Sequence, residues 1–180
     1  MDFQGIIRNE LATLGEVTIV ETGTIRGQGD EYRTGDGWST IALAEHVRDH
    51  GGTVTSIDLD VTTAERVLAE RGLRQHVELV QGHSIQVLTR LAAEGRRFDV
   101  VLLDSDNDAQ LILDEWLIAS TMLGRPGILI VDDVDLESAL VVKGHKLVPW
   151  LDREGVLYEM TQREAGGYMT GVLIARFGAV

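Results

Sequence analysis

Five short apolar runs recur along this chain, and segments with helical spacing of apolar residues separate them. Because the runs lack the polar alternation of a half-exposed strand, they predict strands buried on both faces of a mainly parallel sheet. Right-handed crossovers through the intervening helices then give a doubly wound, Rossmann-like α/β fold with helices on both faces. A closing antiparallel pair is expected at 156–160 and 170–176. The five main strands are predicted at residues 17–22, 53–57, 77–80, 98–103 and 128–131.

Helices are predicted in the intervals between these strands. Thr62 or Thr63 and Ser84 are candidate N-caps, because a hydroxyl oxygen can accept a hydrogen bond from a free N–H group of the first turn. The sequence Gly124-Arg125-Pro126-Gly127 predicts a turn before the last main strand. The predicted helices are residues 3–14, 40–50, 62–71, a segment starting at 84, 109–123 and part of 140–153.

Length and charge limit the classes of protein to consider. A chain of 180 residues predicts one domain, 1–180. The 16 Lys and Arg against 29 Asp and Glu give a formal charge of −13, which disfavours a nucleic-acid partner. The absence of Cys excludes disulfides and thiolate chemistry. No apolar run reaches the roughly 20 residues that span a bilayer, and the start lacks the pattern of a signal peptide. We therefore expect a cytoplasmic protein with a small-molecule partner. The sequence leaves open whether the chain forms a homo-oligomer.

Three of the predicted main strands are followed directly by a carboxylate: Asp58, Asp104 and Asp132. In doubly wound sheets, ligands bind beyond the carboxyl ends of the strands, near the point where the strand order reverses. Core packing does not favour acids at these positions, whereas a binding site does. The sequence therefore predicts a site at this edge of the sheet.

A glycine-containing loop follows the first predicted strand and is interrupted by about ten residues. Glu21-Thr22-Gly23-Thr24 follows the strand, and 35–40 opens the next helix. Glycines allow close backbone approach to a ligand, and the helix start offers free N–H groups. Asp58 lies 35 residues after Gly23, or 25 when residues 25–34 are discounted, against about 20 for a ribose-binding acid. The alternative is an ordinary turn with a solvated Asp58.

These motifs together resemble the class I S-adenosylmethionine-dependent methyltransferases. The likeness lies in residues 20–26, 35–40 and 56–60, in Gly82-His83-Ser84 and in Val131-Asp132-Asp133. The branch with an interrupted Glu-Thr-Gly-Thr loop, which includes small-molecule O-methyltransferases, is the most similar. The compact glycine motif of a dinucleotide site is missing.

The resemblance implies a role for each matching residue. The turn residues would hold the methionine part of the cofactor, Asp58 would bind the ribose hydroxyls, and His83 with Ser84 would flank the adenine. Asp104 would lie near the methyl group. The cofactor-binding candidates are Glu21, Thr22, Gly23, Thr24, Gly37, Ser39, Thr40, Asp58, Leu59, His83, Ser84 and Asp104.

The acids after the fourth and fifth strands form a candidate metal site. If those strands are neighbours, the carboxylates of Asp104, Asp132 and Asp133 converge, with Asp106 in reserve. Oxygen ligands of this kind suit Mg²⁺, which lowers the pKa of a bound hydroxyl. The alternative is that these acids cap helices, face water or bind only the cofactor. His145 is a candidate general base, and its alternative is a surface residue in a basic patch.

The sequence therefore predicts an enzyme that methylates a hydroxyl of a small molecule, with S-adenosylmethionine and possible assistance from Mg²⁺. A nicotinamide-dependent oxidoreductase and a non-catalytic binding domain are the alternatives. Segments 1–16, 25–36 and 134–150 are expected to cover the substrates. Tyr168 is a candidate for the acceptor pocket.

Overall fold

The computed structural model describes residues 2–27, 38–165 and 168–178. Helices and strands alternate along these residues, as the sequence predicts. The helices are α1 (Phe3–Leu11), α2 (Ser39–His50), α3 (Thr62–Glu70), α4 (Ser84–Ala93), α5 (Ala109–Ala119) and α6 (Gly144–Arg153). The strands are β1 (Val17–Thr22), β2 (Gly52–Asp58), β3 (Val77–Gln81), β4 (Phe98–Leu103), β5 (Leu123–Val134), β6 (Tyr158–Ala165) and β7 (Tyr168–Phe177).

The strands form one sheet in the order β3-β2-β1-β4-β5-β7-β6. Strands β1 to β5 pair in parallel, and β7 runs antiparallel to both β5 and β6. The predicted doubly wound fold with an antiparallel closing strand is confirmed. Because β1 lies between β2 and β4, the strand order reverses there, and the carboxyl ends of these strands border a common crevice.

Both faces of the sheet are buried, which explains why the strands read as continuous apolar runs. In β4, Val100 and Leu102 belong to one apolar cluster, while Val101 and Leu103 belong to the cluster on the opposite face. The first cluster packs α1, α2 and α3 against the sheet, and the second packs α4, α5 and α6. Within the described residues, no helix has the length and apolar character needed to cross a membrane.

Several predicted boundaries differ from the structure. Residues 124–127 were expected to form a turn, but they lie inside β5, where the pairing with β4 shifts register between Phe98 and Val100. Helix α5 accordingly ends at Ala119. Ser84 is the first residue of α4 and His83 is its N-cap, while Val61 occupies the N-cap of α3. The caps were misassigned because a hydroxyl residue also fits the first helical turn.

Candidate active site

A cavity of about 340 Å³ opens at the carboxyl ends of β1, β2, β3 and β4. Its position is the one that the strand order favours for a ligand. Of the cofactor-binding candidates, the structure brings Gly23, Asp58, Leu59, His83 and Ser84 together here. The residues that line the cavity are Gly23, Arg26, Ile57, Asp58, Leu59, Gly82, His83, Ser84, Ser105, Asp106 and Leu111.

Gly23 lines this cavity at the end of β1, next to the end of β4. Its N–H donates to the carbonyl oxygen of Ile57 at 2.8 Å, and the N–H of Asp104 donates to that of Thr22 at 2.9 Å. The φ angle of Gly23 is +91°, and a Cβ atom there would overlap the carbonyl oxygen of Asp104. A glycine is therefore required by both backbone conformation and close approach.

Asp58 is fixed in place at the end of β2. Its Oδ2 accepts a hydrogen bond from the N–H of Thr24 at 3.1 Å, and its Oδ1 accepts one from the N–H of Asp60 at 3.2 Å. Arg26 lies 3.6 Å from Oδ2 through its Nε and donates through Nη2 to the carbonyl oxygen of Ser105. Arg26 thus bridges the ends of β2 and β4 across the cavity, a role that its sequence position alone does not indicate.

Glu21 is fully buried in β1, beneath the turn rather than in the cavity wall. Its carboxylate accepts hydrogen bonds from Ser39 at 2.5 Å, from Thr40 at 2.7 Å and from Ser56 at 2.7 Å. Burial raises the pKa of Glu21 from 4.5 to about 7, although the three hydroxyl donors oppose this shift. The carboxylate ties the start of α2 to the strands. Direct contact between the cofactor and Glu21, Ser39 or Thr40 stays a prediction.

The predicted acid cluster is present. Asp104, Asp132 and Asp133 each bring one carboxylate oxygen within 4.8 Å of the others. Asp133 has a φ of +54°, an uncommon conformation for a residue other than glycine, and it lies where the pairing of β5 with β7 shifts register. This irregularity places consecutive acids on the same edge of the sheet.

Two buried cations already bind the cluster, and the sequence reasoning missed both. Arg163 donates to both oxygens of Asp132, at 2.8 and 2.5 Å, and to Asp133 at 3.2 Å. The Nζ atom of Lys143 lies 2.5 Å from Oδ1 of Asp104 and 3.7 Å from Oδ2 of Asp133. The exposed fractions of the Lys143 and Arg163 side chains are only 6% and 1%.

The titration of these groups reflects their burial and close contacts. Burial and then the charges of Asp104 and Asp133 raise the pKa of Asp132 to about 7, against the effect of Arg163. Burial acts to lower the pKa of Lys143, but the nearby carboxylates, Asp104 first, outweigh it and raise this pKa to about 12. Lys143 therefore stays protonated near neutral pH.

As folded, the cluster does not fit a resident Mg²⁺ ion. Such an ion needs carboxylate oxygens with free lone pairs at about 2.0–2.1 Å in near-octahedral geometry. Arg163 occupies both oxygens of Asp132, and the ammonium of Lys143 lies against Asp104. With all five groups ionised, three negative and two positive charges leave only −1 to attract a divalent cation.

Glu115 of α5 is a further buried acid that the sequence reasoning missed. Its Oε2 accepts a hydrogen bond from the hydroxyl of Thr22 at 2.9 Å, while Oε1 has no hydrogen-bond partner among the described residues. Burial raises its pKa. An acid on the apolar face of a predicted helix, beside Ile112 and Trp116, is the signal that could have identified it.

The remaining candidates are dispersed. The ring Nε2 of His145 lies 3.1 Å from the carbonyl oxygen of Asp135, and its role as a base stays a prediction. Asp106, the reserve metal ligand, lines the cavity. Three further sequence predictions fall outside the part of the chain that the structure describes: Gly37, most of segment 25–36 and the side chain of Tyr168.

Comparison with known proteins places this site in context. The sequence model of a family described as a methyltransferase domain matches residues 33–134, more than half of the chain. No curated protein matches the chain significantly.

Solved structures share the whole architecture. An O-methyltransferase from Bacillus cereus, in complex with SAH, superposes with a TM-score of 0.79 at 20% identity, covering 97% of this chain and 80% of that one. The O-methyltransferase TomG from Streptomyces achromogenes, in complex with SAM, gives 0.74 at 24% identity, with coverages of 97% and 79%. The N-methyltransferase NodS from Bradyrhizobium japonicum gives 0.63 at 20% identity, with coverages of 96% and 91%. At these identities the neighbours establish the fold.

Proposed function

This chain belongs to the methyltransferase-domain family, and from that membership we propose that it transfers a methyl group from S-adenosylmethionine to a hydroxyl oxygen of a small molecule. The observation that carries the proposal is the cavity at the carboxyl ends of β1 to β4. It combines a close-approach glycine, Gly23, with a fixed carboxylate, Asp58, on neighbouring strands.

The residues around the cavity fit the cofactor. Asp58 keeps its carboxylate at the cavity wall through two backbone N–H donors, which suits hydrogen bonds from the two ribose hydroxyls. Gly23 leaves room for the methionine part, and His83 and Ser84 border the adenine end. When bound, the cofactor supplies an activated methyl group on a positively charged sulfur.

Positioning is the main contribution that the protein makes to such a reaction. Methyl transfer is an in-line displacement, so its rate depends on holding the two reacting atoms at short distance and in line. Asp104 lies next to the cavity residue Ser105 and is fixed through its N–H to β1. The acceptor is therefore assigned to the side of the cavity next to Asp104.

Charge favours a small acceptor over a nucleic acid. A chain with a net charge of −13 repels phosphate backbones, and we therefore propose a small molecule as the acceptor. Similarity of fold to O-methyltransferases from Bacillus cereus and Streptomyces achromogenes is consistent with an oxygen acceptor. The structure of NodS shows that the same fold also serves an N-methyltransferase.

Thermal-shift and product measurements on the full chain test the proposal. S-adenosylmethionine and its demethylated product should both raise the Tm, whereas NAD should not, because a ligand stabilises the native state that binds it. Mass spectrometry of reactions with a panel of phenols, alcohols, carboxylic acids and amines should then show a methylated oxygen. Stabilisation by NAD alone would favour an oxidoreductase. Cofactor binding without product from any acceptor would favour the non-catalytic alternative.

A further inference from the structure

We infer that Lys143 is the resident cation of the acid cluster and takes the position in which a divalent metal ion was predicted. The methyltransferase proposed above would then act without a bound metal, with an ammonium group next to the acceptor oxygen. The assignment of the cation rests on geometry, and only its role in transfer rests on the proposed function.

The first support is the pairing of every carboxylate in the cluster. Lys143 lies 2.5 Å from Asp104, and Arg163 binds Asp132 through two nitrogen atoms. Asp133 lies between them, 3.2 Å from Arg163 and 3.7 Å from Lys143. A metal ion could use these oxygens only after displacing buried ion pairs, and breaking such pairs is costly.

The second support is the way the chain holds Lys143 in place. Lys143 is the N-cap residue of α6, and its neighbour Gly144 is buried against Val134 of β5. A Cβ atom on Gly144 would overlap the Val134 side chain, so the helix start lies directly on the strand that carries Asp132 and Asp133. This packing and the 6% exposure of Lys143 leave its side chain little room to turn towards solvent.

The third support is the number of hydrogen atoms on the ammonium group. A lysine ammonium has three N–H donors. Asp104 accepts one, and the distance of 3.7 Å to Asp133 exceeds that of a hydrogen bond. Lys143 therefore retains donor capacity at a buried position against Asp104, which precedes the cavity residue Ser105 in the chain.

This capacity suits a single ionised oxygen of the acceptor. The acceptor hydroxyl first loses its proton to water, and the ammonium group stabilises the resulting anion by a charge-assisted hydrogen bond. A lone pair of this oxygen then forms the bond to the methyl carbon, while the carbon–sulfur bond breaks and its electron pair stays on sulfur. No further proton moves in this step. One oxygen is sufficient, whereas a divalent ion can also hold two adjacent oxygens.

Metal binding to the full-length protein tests the inference without any measurement of activity. Mn²⁺, whose binding can be followed by electron paramagnetic resonance, should bind the wild-type cluster weakly. Lys143→Met removes one positive charge and frees Asp104, so its affinity for Mn²⁺ should rise by about tenfold or more. Lys146→Met is the matched control, because Lys146 is exposed and donates to Gln110 rather than to the cluster. It should bind Mn²⁺ as the wild type does.

Two results would overturn the inference. One is tight Mn²⁺ binding by the wild type that Asp132→Asn abolishes. The other is an unchanged Mn²⁺ affinity in a folded Lys143→Met protein. If circular dichroism shows that this variant is unfolded, Lys143→Gln replaces it, and the wild-type measurement is decisive in either case. Calorimetry with the demethylated cofactor, run separately, tests the proposed function: absence of cofactor binding would refute that function and leave the Mn²⁺ result unaffected.

Discussion

Ser39, the first residue of α2, donates a hydrogen bond of 2.5 Å to the buried carboxylate of Glu21 in β1. Thr40 and Ser56 complete the set of hydroxyl donors. The group that joins α2 to the sheet is therefore an acid whose pKa is raised to about 7. Its protonation state changes within the range in which the protein is expected to work.

The stability of the protein should consequently fall as the pH rises through neutrality. The pKa of this carboxyl group is higher in the folded state than in the unfolded state. Its full contribution to stability is therefore present below a pH of about 4.5 and is lost as the pH rises through about 7. The shift from 4.5 to about 7 corresponds to about 3–4 kcal/mol of stability. Urea unfolding of the wild type and Glu21→Gln between pH 5 and 8 should show a smaller slope for the variant. Asp132 contributes with the same sign, so part of the slope should remain. An identical slope in both proteins would contradict the raised pKa of Glu21. Glu16→Gln is the control, because Glu16 is exposed.

Removing the carboxylate of Asp58 should weaken cofactor binding. A hydrogen bond to a charged group contributes about 1.5–3 kcal/mol, so Asp58→Ala should lower the affinity for the demethylated cofactor at least about tenfold in calorimetry. Asp60→Ala is the matched control, since Asp60 is exposed and accepts from the N–H of Thr62. Equal affinities for wild type and Asp58→Ala would remove Asp58 from the cofactor site.

Methyl transfer should continue when metal ions are removed. Because Lys143 and Arg163 already pair with the carboxylates of the acid cluster, product formation in excess EDTA should match that in Mg²⁺. The measurement is the initial rate with an acceptor from the panel described above. A rate that is lost in EDTA and restored by Mg²⁺ would instead support the magnesium site predicted from the sequence.

Gly23→Ala should destabilise the protein more than a comparable change elsewhere. Gly72 also has a positive φ, of +67°, but a Cβ atom there would have no neighbour within 4 Å. Gly72→Ala therefore measures the conformational cost, of order 1 kcal/mol, whereas Gly23→Ala adds the overlap with Asp104. Chemical unfolding should show the larger loss for Gly23→Ala. Equal losses would mean that the two strands adjust without cost.

Arg163→Met should be among the most destabilising substitutions. It leaves Asp132 buried without its partner, which costs about 3–5 kcal/mol for a broken buried pair. The double variant that carries both Arg163→Met and Asp132→Leu replaces both partners and should recover much of the lost stability. A double variant as unstable as the single one would show that Arg163 acts through other contacts, such as the ring of Phe3, 5.1 Å from its guanidinium carbon.

Local sequence patterns predicted the sheet and part of the site. Apolar runs identify strands buried on two faces, and an acid that directly follows such a run, such as Asp58, must lie at the carboxyl edge. The convergence of Asp104 with Asp132 follows from the pairing of β4 with β5 and is confirmed.

The partners of those acids depend on contacts between distant parts of the chain. Lys143 is 39 residues from Asp104, and Arg163 is 31 residues from Asp132. Lys143 stands in the short basic segment around His145, and nothing local distinguishes a buried lysine from an exposed one. Arg163 lies in a closing strand whose distance from the site depends on β7 inserting between β5 and β6.

The close approach of Gly23 to the carbonyl oxygen of Asp104 couples the two halves of the site through backbone alone. Under the proposed function, the pairing of two adjacent strands would then set the backbone positions on which donor and acceptor lie. Residues 135–142 between β5 and α6, which we expect to help cover the acceptor, take no part in this backbone contact. Under the proposed function, a designer could exchange that loop to change the acceptor and keep the backbone contact between Gly23 and Asp104.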